Sequence, residues 1–139
     1  MIQLIVGEKG KGKTKILLDK VNSEVKTAHG SIVYLDKSTK HMYELNNKVR
    51  LIDVSGFDLA SSQEFIGFVK GILSQDHDLV QMYLDSFLTI SQTDAETACA
   101  VIGALKEIGE KYGVSFIISI SVKGDAIDEA FKENIIAEL

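Results

Sequence analysis

The stretch GEKGKGKT, residues 7–14, combines three glycines and three lysines in eight positions. It satisfies the pattern G-x-x-x-x-G-K-[ST], and it lies between the apolar run IQLIV and the helical pattern KILLDKV. Glycine lets a loop adopt conformations in which successive backbone N–H groups point to one place, and the helix that follows directs the positive end of its dipole there. A polyphosphate is the ligand that suits such a loop. We therefore interpret these residues as a phosphate-binding loop.

Two side chains of this loop have separate expected roles. Lys13 would reach the β- and γ-phosphates of a nucleotide, and the Thr14 hydroxyl would ligate a phosphate-bound Mg²⁺. The side chains of Glu8, Lys9 and Lys11 are expected to point outward. The residues predicted to bind the nucleotide are Gly7, Glu8, Lys9, Gly10, Lys11, Gly12, Lys13, Thr14 and Lys15.

The rest of the chain must position this loop, and its apolar runs alternate with amphipathic stretches. That alternation is typical of an α/β domain with a mainly parallel sheet. Five strands are predicted, at residues 2–6, 31–36, 49–54, 79–85 and 114–120. Four helices are predicted, at residues 14–28, from 61 onward, at 93–112 and from 125 onward. The expected fold is a three-layer α/β/α sandwich with a mainly parallel five-stranded sheet, and residues 1–139 are expected to form one domain.

The loop resembles the Walker A motif of the P-loop NTPase superfamily. The alternating strands and helices are similar to that superfamily over nearly the whole chain. The resemblance implies a nucleoside triphosphate with Mg²⁺ at residues 7–14, on a parallel sheet with helices on both faces. It also implies an aspartate at the end of a buried strand that holds Mg²⁺ through water.

Asp85 is the first candidate for that aspartate. It ends the run LVQMYLD and precedes Ser-Phe-Leu, which is similar to the Walker B strand of RecA-like ATPases. In that branch the next strand ends in a polar sensor residue, and IISIS offers Ser119 and Ser121. We prefer this RecA-like interpretation, in which Thr14 and Asp85 are the metal ligands.

Asp53 is the alternative candidate. The run LIDVSG contains D-x-x-G, which resembles the third motif of small GTPases. That branch reads guanine with N-K-x-D, and the matching place here is Val122-Lys123-Gly124-Asp125, which lacks the asparagine. The alternative interpretation is therefore a GTPase-like nucleotide switch that uses Asp53 and Asp125.

Hydrolysis would require a group that orients or deprotonates water and positive charge for the transition state. The residue after Asp85 is serine, whereas many P-loop ATPases have a glutamate there. RecA-like enzymes carry the base just beyond the second strand, where this chain offers Asp36. Asp36 and Lys13 are thus the predicted catalytic residues. Arg50 is the only arginine and lies within a predicted strand, so an arginine finger from the same chain is not expected.

The sequence therefore predicts a protein that binds ATP with Mg²⁺. It would either hydrolyse ATP slowly or use the nucleotide as a switch that controls contact with a protein partner or an identical subunit. A small-molecule kinase is a less favoured alternative, since those enzymes clamp their substrates with several arginines.

Composition argues against several other classes. The net charge of −5 does not suit a broad nucleic-acid-binding surface, and no apolar run approaches the roughly 20 residues that span a bilayer. Cys99 is the only cysteine, which excludes an internal disulfide and a cysteine-based zinc site. A cytoplasmic protein is expected.

Overall fold

A six-stranded sheet forms the centre of the protein in a computed structural model that describes residues 1–139. The strands are β1 (Ile2–Val6), β2 (Ser31–Asp36), β3 (Arg50–Asp53), β4 (Leu79–Leu84), β5 (Ser115–Ile120) and β6 (Ile135–Glu138). Their order across the sheet is β3-β2-β4-β5-β1-β6, and every neighbouring pair is parallel. The predicted parallel α/β architecture is confirmed, and the sheet has six strands where five are predicted.

Helices cover both faces of the sheet and complete three layers. The helices are α1 (Lys13–Glu24), α2 (Ser62–Gln75), α3 (Phe87–Ile90) and α4 (Ala98–Tyr112). α1 buries Leu17, Leu18 and Val21 against one face of the sheet, while α2, α3 and α4 contribute to a larger hydrophobic cluster on the other face. The connections run first toward β3 and then back toward β6, so right-handed crossovers put α1 on the face opposite α2 and α4. None of the helices has the length and apolar character needed to cross a bilayer.

The end of the chain differs from the prediction. The sequence predicts an amphipathic helix from Asp125, but the structure has 3₁₀ turns at Gly124–Ala126 and Glu129–Asn134, followed by β6. β6 pairs with the edge of β1 that β5 leaves open. A short helix depends on tertiary packing for its stability, and the β-branched Ile135 and Ile136 fit a strand better. The pairing with β1 therefore decides the conformation of this segment.

The helix starts predicted at residues 61 and 93 have different outcomes. α2 begins where predicted, because Ser61 Oγ accepts a hydrogen bond from the backbone N–H of Glu64 at 3.1 Å. The start predicted at residues 93–96 is wrong, since α4 begins at residue 98. Asp94 Oδ1 accepts from the backbone N–H of Thr97 at 3.0 Å and closes a turn before the helix. Local side-chain bonding of this kind competes with helix formation.

Candidate nucleotide-binding site

The phosphate-binding loop lies at the carboxyl edge of the parallel sheet, between β1 and α1. Three neighbouring strands bring polar side chains to the same edge: Asp36 ends β2, Asp85 follows β4, and Ser119 lies near the end of β5. These residues line a cleft of about 540 Å³ together with Gly10 and Lys13 of the loop. Ligands of open parallel sheets bind outside the carboxyl ends of the strands. The cleft is thus a candidate binding site, at the place where this architecture usually forms one.

The backbone of the loop offers a row of hydrogen-bond donors. Gly10 and Gly12 have φ angles of 85° and 96°, in the left-handed region that favours glycine. The N–H groups of residues 8–12 donate to no acceptor within the protein, and those of residues 13–15 open α1 with no preceding helical turn to bond. Unpaired N–H groups at the start of a helix are the ones that bind anions. The loop therefore fits a phosphate chain.

Lys13 is a buried cation within this loop. Its side chain is only 7% exposed, and its Nζ donates to the backbone carbonyl oxygen of Glu8 at 3.0 Å. Burial lowers the pKa of Lys13, and the negative charge of Asp85 opposes that shift. An anionic ligand in the cleft would restore the electrostatic stabilisation that the ammonium group loses by leaving water.

Asp85 is held in place by four donors from different elements. Its Oδ1 accepts from Thr14 Oγ1 at 3.2 Å, from Ser119 Oγ at 2.6 Å and from the backbone N–H of Ser86 at 2.9 Å, while its Oδ2 accepts from the Tyr34 hydroxyl at 2.8 Å. Its side chain is almost completely buried. The structure therefore brings together Thr14 and Asp85, the two residues that the sequence predicts as metal ligands.

Removing the hydroxyl of Tyr34 tests whether its hydrogen bond helps to hold Asp85 in place. Tyr34→Phe leaves one oxygen of the buried Asp85 carboxylate without its donor, so we expect a loss of about 1–3 kcal/mol in the free energy of unfolding. The measurement is denaturant unfolding monitored by circular dichroism. Tyr83→Phe is the matched control, because Tyr83 is equally buried and stacks on Tyr34, but its hydroxyl bonds the neutral Gln81 side chain. Equal losses in the two variants would contradict a special role for Tyr34.

Asp36 presents a buried carboxylate oxygen that has no partner. Its Oδ1 accepts from the backbone N–H of Lys37 at 2.7 Å, but its Oδ2 is buried and makes no hydrogen bond. Burial raises the pKa of Asp36, the negative charge of Asp85 raises it further, and the nearby His41 and Lys37 partly offset both effects. The side chain lines the cleft, but Oδ2 itself is screened from solvent.

The remaining predicted binding residues lie around the outside of the loop. Glu8, Lys9 and Lys11 are exposed, but the expectation that all three point outward does not hold for Lys9. Lys9 lines the main cleft, whereas Glu8 and Lys11 line a second cleft of about 380 Å³ on the other side of the loop. The ammonium group of Lys15 points to Asp19 at 3.4 Å, so only its backbone faces the site at the start of α1.

Asp53 does not reach Thr14. β3, which Asp53 ends, is separated from β1 by three strands, so the carboxyl ends of β3 and β1 lie roughly 19 Å apart. The Asp53 carboxylate instead accepts from the backbone N–H and the hydroxyl of Ser55. Asp125 lies closer to the loop, in the lining of the second cleft with Glu8 and Lys11. The GTPase-like alternative requires the Asp53 carboxylate next to Thr14. In the structure the carboxylate next to Thr14 is that of Asp85.

The only arginine lies at the opposite edge of the sheet from this site. Arg50 begins β3, and its guanidinium group pairs with Asp76 at 2.7 Å. An arginine of the same chain therefore does not reach the cleft, in agreement with the sequence-based expectation.

Comparison with known proteins supports the fold. No protein-family model matches this sequence, and the search of curated proteins also found no match. The structure is similar to the crystal structure of a KaiC-like protein from the hyperthermophilic archaeon Pyrococcus horikoshii, with a TM-score of 0.63 and 17% sequence identity. The two chains share a fold. The match covers 95% of this chain and 66% of the KaiC-like chain, and it supports the parallel α/β fold predicted from the sequence. At this identity the likeness to the KaiC-like protein concerns the fold alone.

The residues of the cleft fit a magnesium nucleotide. Nowhere in the protein do three His, Cys, Asp or Glu side chains cluster as a metal cage. Mg²⁺ does not require one, because it keeps several waters and is usually bound by one or two carboxylates and the phosphates of a substrate. Thr14 and Asp85 supply such oxygen atoms 3.2 Å apart, beside the unpaired N–H groups of the loop.

Sequence reasoning missed two lysines of the cleft and the buried tyrosine that donates to Asp85. Tyr34 lies two residues before Asp36 in the same strand, so alternation could have placed both on one face of the sheet. Lys37 and Lys40 follow β2 directly at the carboxyl edge, and both line the cleft. No sequence motif marks these two lysines, and only the path of the chain after β2 brings them to the site.

Proposed function

We propose that this chain binds a nucleoside triphosphate, with ATP preferred, together with Mg²⁺ at residues 7–15 and Asp85, and that it hydrolyses the nucleotide slowly. The observation that carries the proposal is the 3.2 Å contact between Thr14 Oγ1 and Asp85 Oδ1 beside the phosphate-binding loop. A hydroxyl from the start of α1 and a carboxylate from the end of β4 meet there, 71 residues apart in sequence. Such a pair next to unpaired N–H groups favours a phosphate-bound cation over a bare anion.

Each group of the site then has a role. The loop N–H groups and Lys13 hold the β- and γ-phosphates. Thr14 and Asp85 would hold Mg²⁺, Asp85 through water, and the metal when bound neutralises charge on the phosphate oxygens. Tyr34 and Ser119 fix the carboxylate of Asp85 by donating to its two oxygens.

Asp36 is the proposed base. Its side chain lines the cleft, where the carboxylate is proposed to accept a proton from a water molecule. Its raised pKa makes it a stronger base than an exposed aspartate. Lys13 is proposed to act with Asp36 by stabilising charge on the phosphate that is transferred.

Hydrolysis is proposed to be slow because no arginine lies in the cleft. In enzymes where it has been tested, an arginine finger contributes about 10³–10⁵ in rate. We therefore expect a turnover below about 1 s⁻¹ for the purified chain, under the usual range for enzymes. A slowly hydrolysed nucleotide suits a switch that controls contact with a protein partner or a second copy of the chain, and a cytoplasmic location belongs to the same proposal.

A thermal-shift panel of ATP, GTP, ADP and GDP with Mg²⁺ tests the proposal. Ligand at 100 times its Kd adds about 2.7 kcal/mol of stability. For a domain of this size that corresponds to a rise of roughly 10 °C in Tm. We expect the largest rise with MgATP and a smaller one with MgGTP. A larger rise with MgGTP would favour the GTPase-like alternative, with Asp125 in the second cleft reading the base, and no rise with any nucleotide would contradict the proposal.

A further inference from the structure

The connection that follows Asp36 forms one wall of the phosphate cleft. Lys37, Ser38, Lys40 and His41 line the same cleft of about 540 Å³ as Lys13. The chain therefore places two more lysines opposite the phosphate-binding loop, outside the Walker A motif.

The position of this wall corresponds to the terminal phosphates. Lys13 and Thr14, the side chains that address the β- and γ-phosphates and their metal, line the main cleft. Glu8 and Lys11 face away from it, toward the second cleft. With a nucleotide bound as proposed, a group near Lys37 and Lys40 would lie at the end of the phosphate chain, in the same cleft as Asp36 and Asp85.

The ammonium groups of these lysines are not neutralised by the protein. No carboxylate lies within ion-pair distance of Lys37 or Lys40, because the lysine ion pairs of the protein involve only Lys15, Lys20, Lys123 and Lys132. The cleft as a whole holds four lysines and two aspartates among its lining residues. Its charge thus favours a ligand with more negative charge, and each phosphate adds to that charge.

The wall is also anchored, which limits how far the lysines can move. The backbone N–H of Lys37 bonds Asp36 at 2.7 Å, and that of Lys40 bonds Ser38 Oγ at 3.2 Å. Farther along, Asn22 of α1 donates to the carbonyl oxygen of Glu44 and accepts from the N–H of Asn46, both at 2.8 Å. The connection is therefore tied at one end to β2 and at the other to the helix that begins with Lys13.

We propose that Lys37 and Lys40 bind the terminal phosphate and determine the preference of the site for nucleoside triphosphate over diphosphate. This inference rests on the proposed nucleotide binding and adds the residues that distinguish the two nucleotide states. Both lysines contact the γ-phosphate and leave the α- and β-phosphates to the Walker A loop. The two lysines then contact a phosphate only when a triphosphate is bound. The site can therefore distinguish a triphosphate from a diphosphate, which is the property that a nucleotide switch needs.

Calorimetric titration of the full chain with MgATP and with MgADP tests the inference. For the double variant Lys37→Gln, Lys40→Gln we expect the MgATP Kd to rise about 10-fold or more and the MgADP Kd to change less than about 3-fold, because removing a contact to one phosphate affects only the nucleotide that has it. The arginine variants Lys37→Arg and Lys40→Arg keep the charge and should keep the ratio of the two Kd values. Lys48→Gln, an exposed lysine on the same connection outside the cleft, is the matched control.

The outcomes separate the inference from the proposed function. If the wild-type chain binds neither nucleotide, the proposed function fails and the inference fails with it. If the wild type binds MgATP but the double variant loses affinity for MgATP and MgADP equally, or behaves like Lys48→Gln, nucleotide binding stands and the role of Lys37 and Lys40 is refuted.

Discussion

The Asp36→Asn variant should lose nucleotide hydrolysis while it continues to bind MgATP. A positioned general base contributes about 10²–10⁴ in rate, so we expect the turnover to fall about 100-fold or more. Asparagine keeps the acceptor for the N–H of Lys37 and the volume of the side chain but cannot take a proton. The measurement combines phosphate release under saturating MgATP with calorimetric titration of the same preparation.

The same variant should be more stable than the wild type near neutral pH. The pKa of Asp36 is raised in the folded state, so folded protein binds this proton more tightly than unfolded protein does. The favourable contribution is present below the unfolded pKa of about 4, and it is lost as the pH rises through the raised folded pKa. We therefore expect the Tm gain of Asp36→Asn to be small at pH 4 and larger at pH 8, as measured by thermal unfolding at the two pH values.

Asp53→Asn is the matched comparison for both measurements. Asp53 is the register partner of Asp36 on the neighbouring strand, so the two substitutions make the same chemical change at adjacent strand ends. Asp53 lies outside the cleft and already has two hydrogen-bond donors. Loss of hydrolysis in Asp53→Asn with full activity in Asp36→Asn would refute the role of Asp36 and support the GTPase-like alternative.

The Lys13→Ala variant should lose MgATP binding almost completely. Truncating one partner of a buried, hydrogen-bonded charge pair costs about 2–5 kcal/mol, so we expect the Kd to rise about 30-fold or more. The variant should still fold, because burial lowers the pKa of Lys13 and the charged form therefore does not stabilise the folded state by itself. Circular dichroism and Tm check the fold, and calorimetry measures the Kd.

Lys26→Ala is the control for the loss of a positive charge. Lys26 is exposed beyond the end of α1, away from the cleft, and its removal changes the net charge by the same amount. If Lys13→Ala and Lys26→Ala weaken MgATP binding equally, the affinity depends on the overall charge of the protein and not on a contact that Lys13 makes.

Much of the site could be predicted because it depends on local signals. The loop is a motif between a strand and a helix, and Asp36 and Asp85 are acids at the ends of apolar strands. In a parallel sheet such ends meet at one edge, which is why residues 71 positions apart could be assigned to one site. Strand order, however, could not be predicted, and it is strand order that places Asp85 beside Thr14 and leaves Asp53 at the far edge.

The parts that could not be predicted depend on contacts between distant segments. The 3₁₀ turns and β6 replace a predicted helix because β1 offers an open edge, and the spacing of apolar residues carries no information about that edge. Tyr34 was visible as a strand residue, but its bond to Asp85 requires the pairing of β2 with β4. Lys37 and Lys40 join the site only through the course of the connection after β2.

The most direct measurement of the central claim is a titration of ¹⁵N-labelled protein with MgATP, followed by amide resonances. If the loop binds a triphosphate, the N–H resonances of residues 10–14 should show the largest shifts, and these shifts should saturate at one nucleotide per chain. In Lys13→Ala the same resonances should not shift when MgATP is added. Saturable MgATP binding that leaves these five amides unperturbed, or no binding at all, would contradict the assignment of this loop as the nucleotide site.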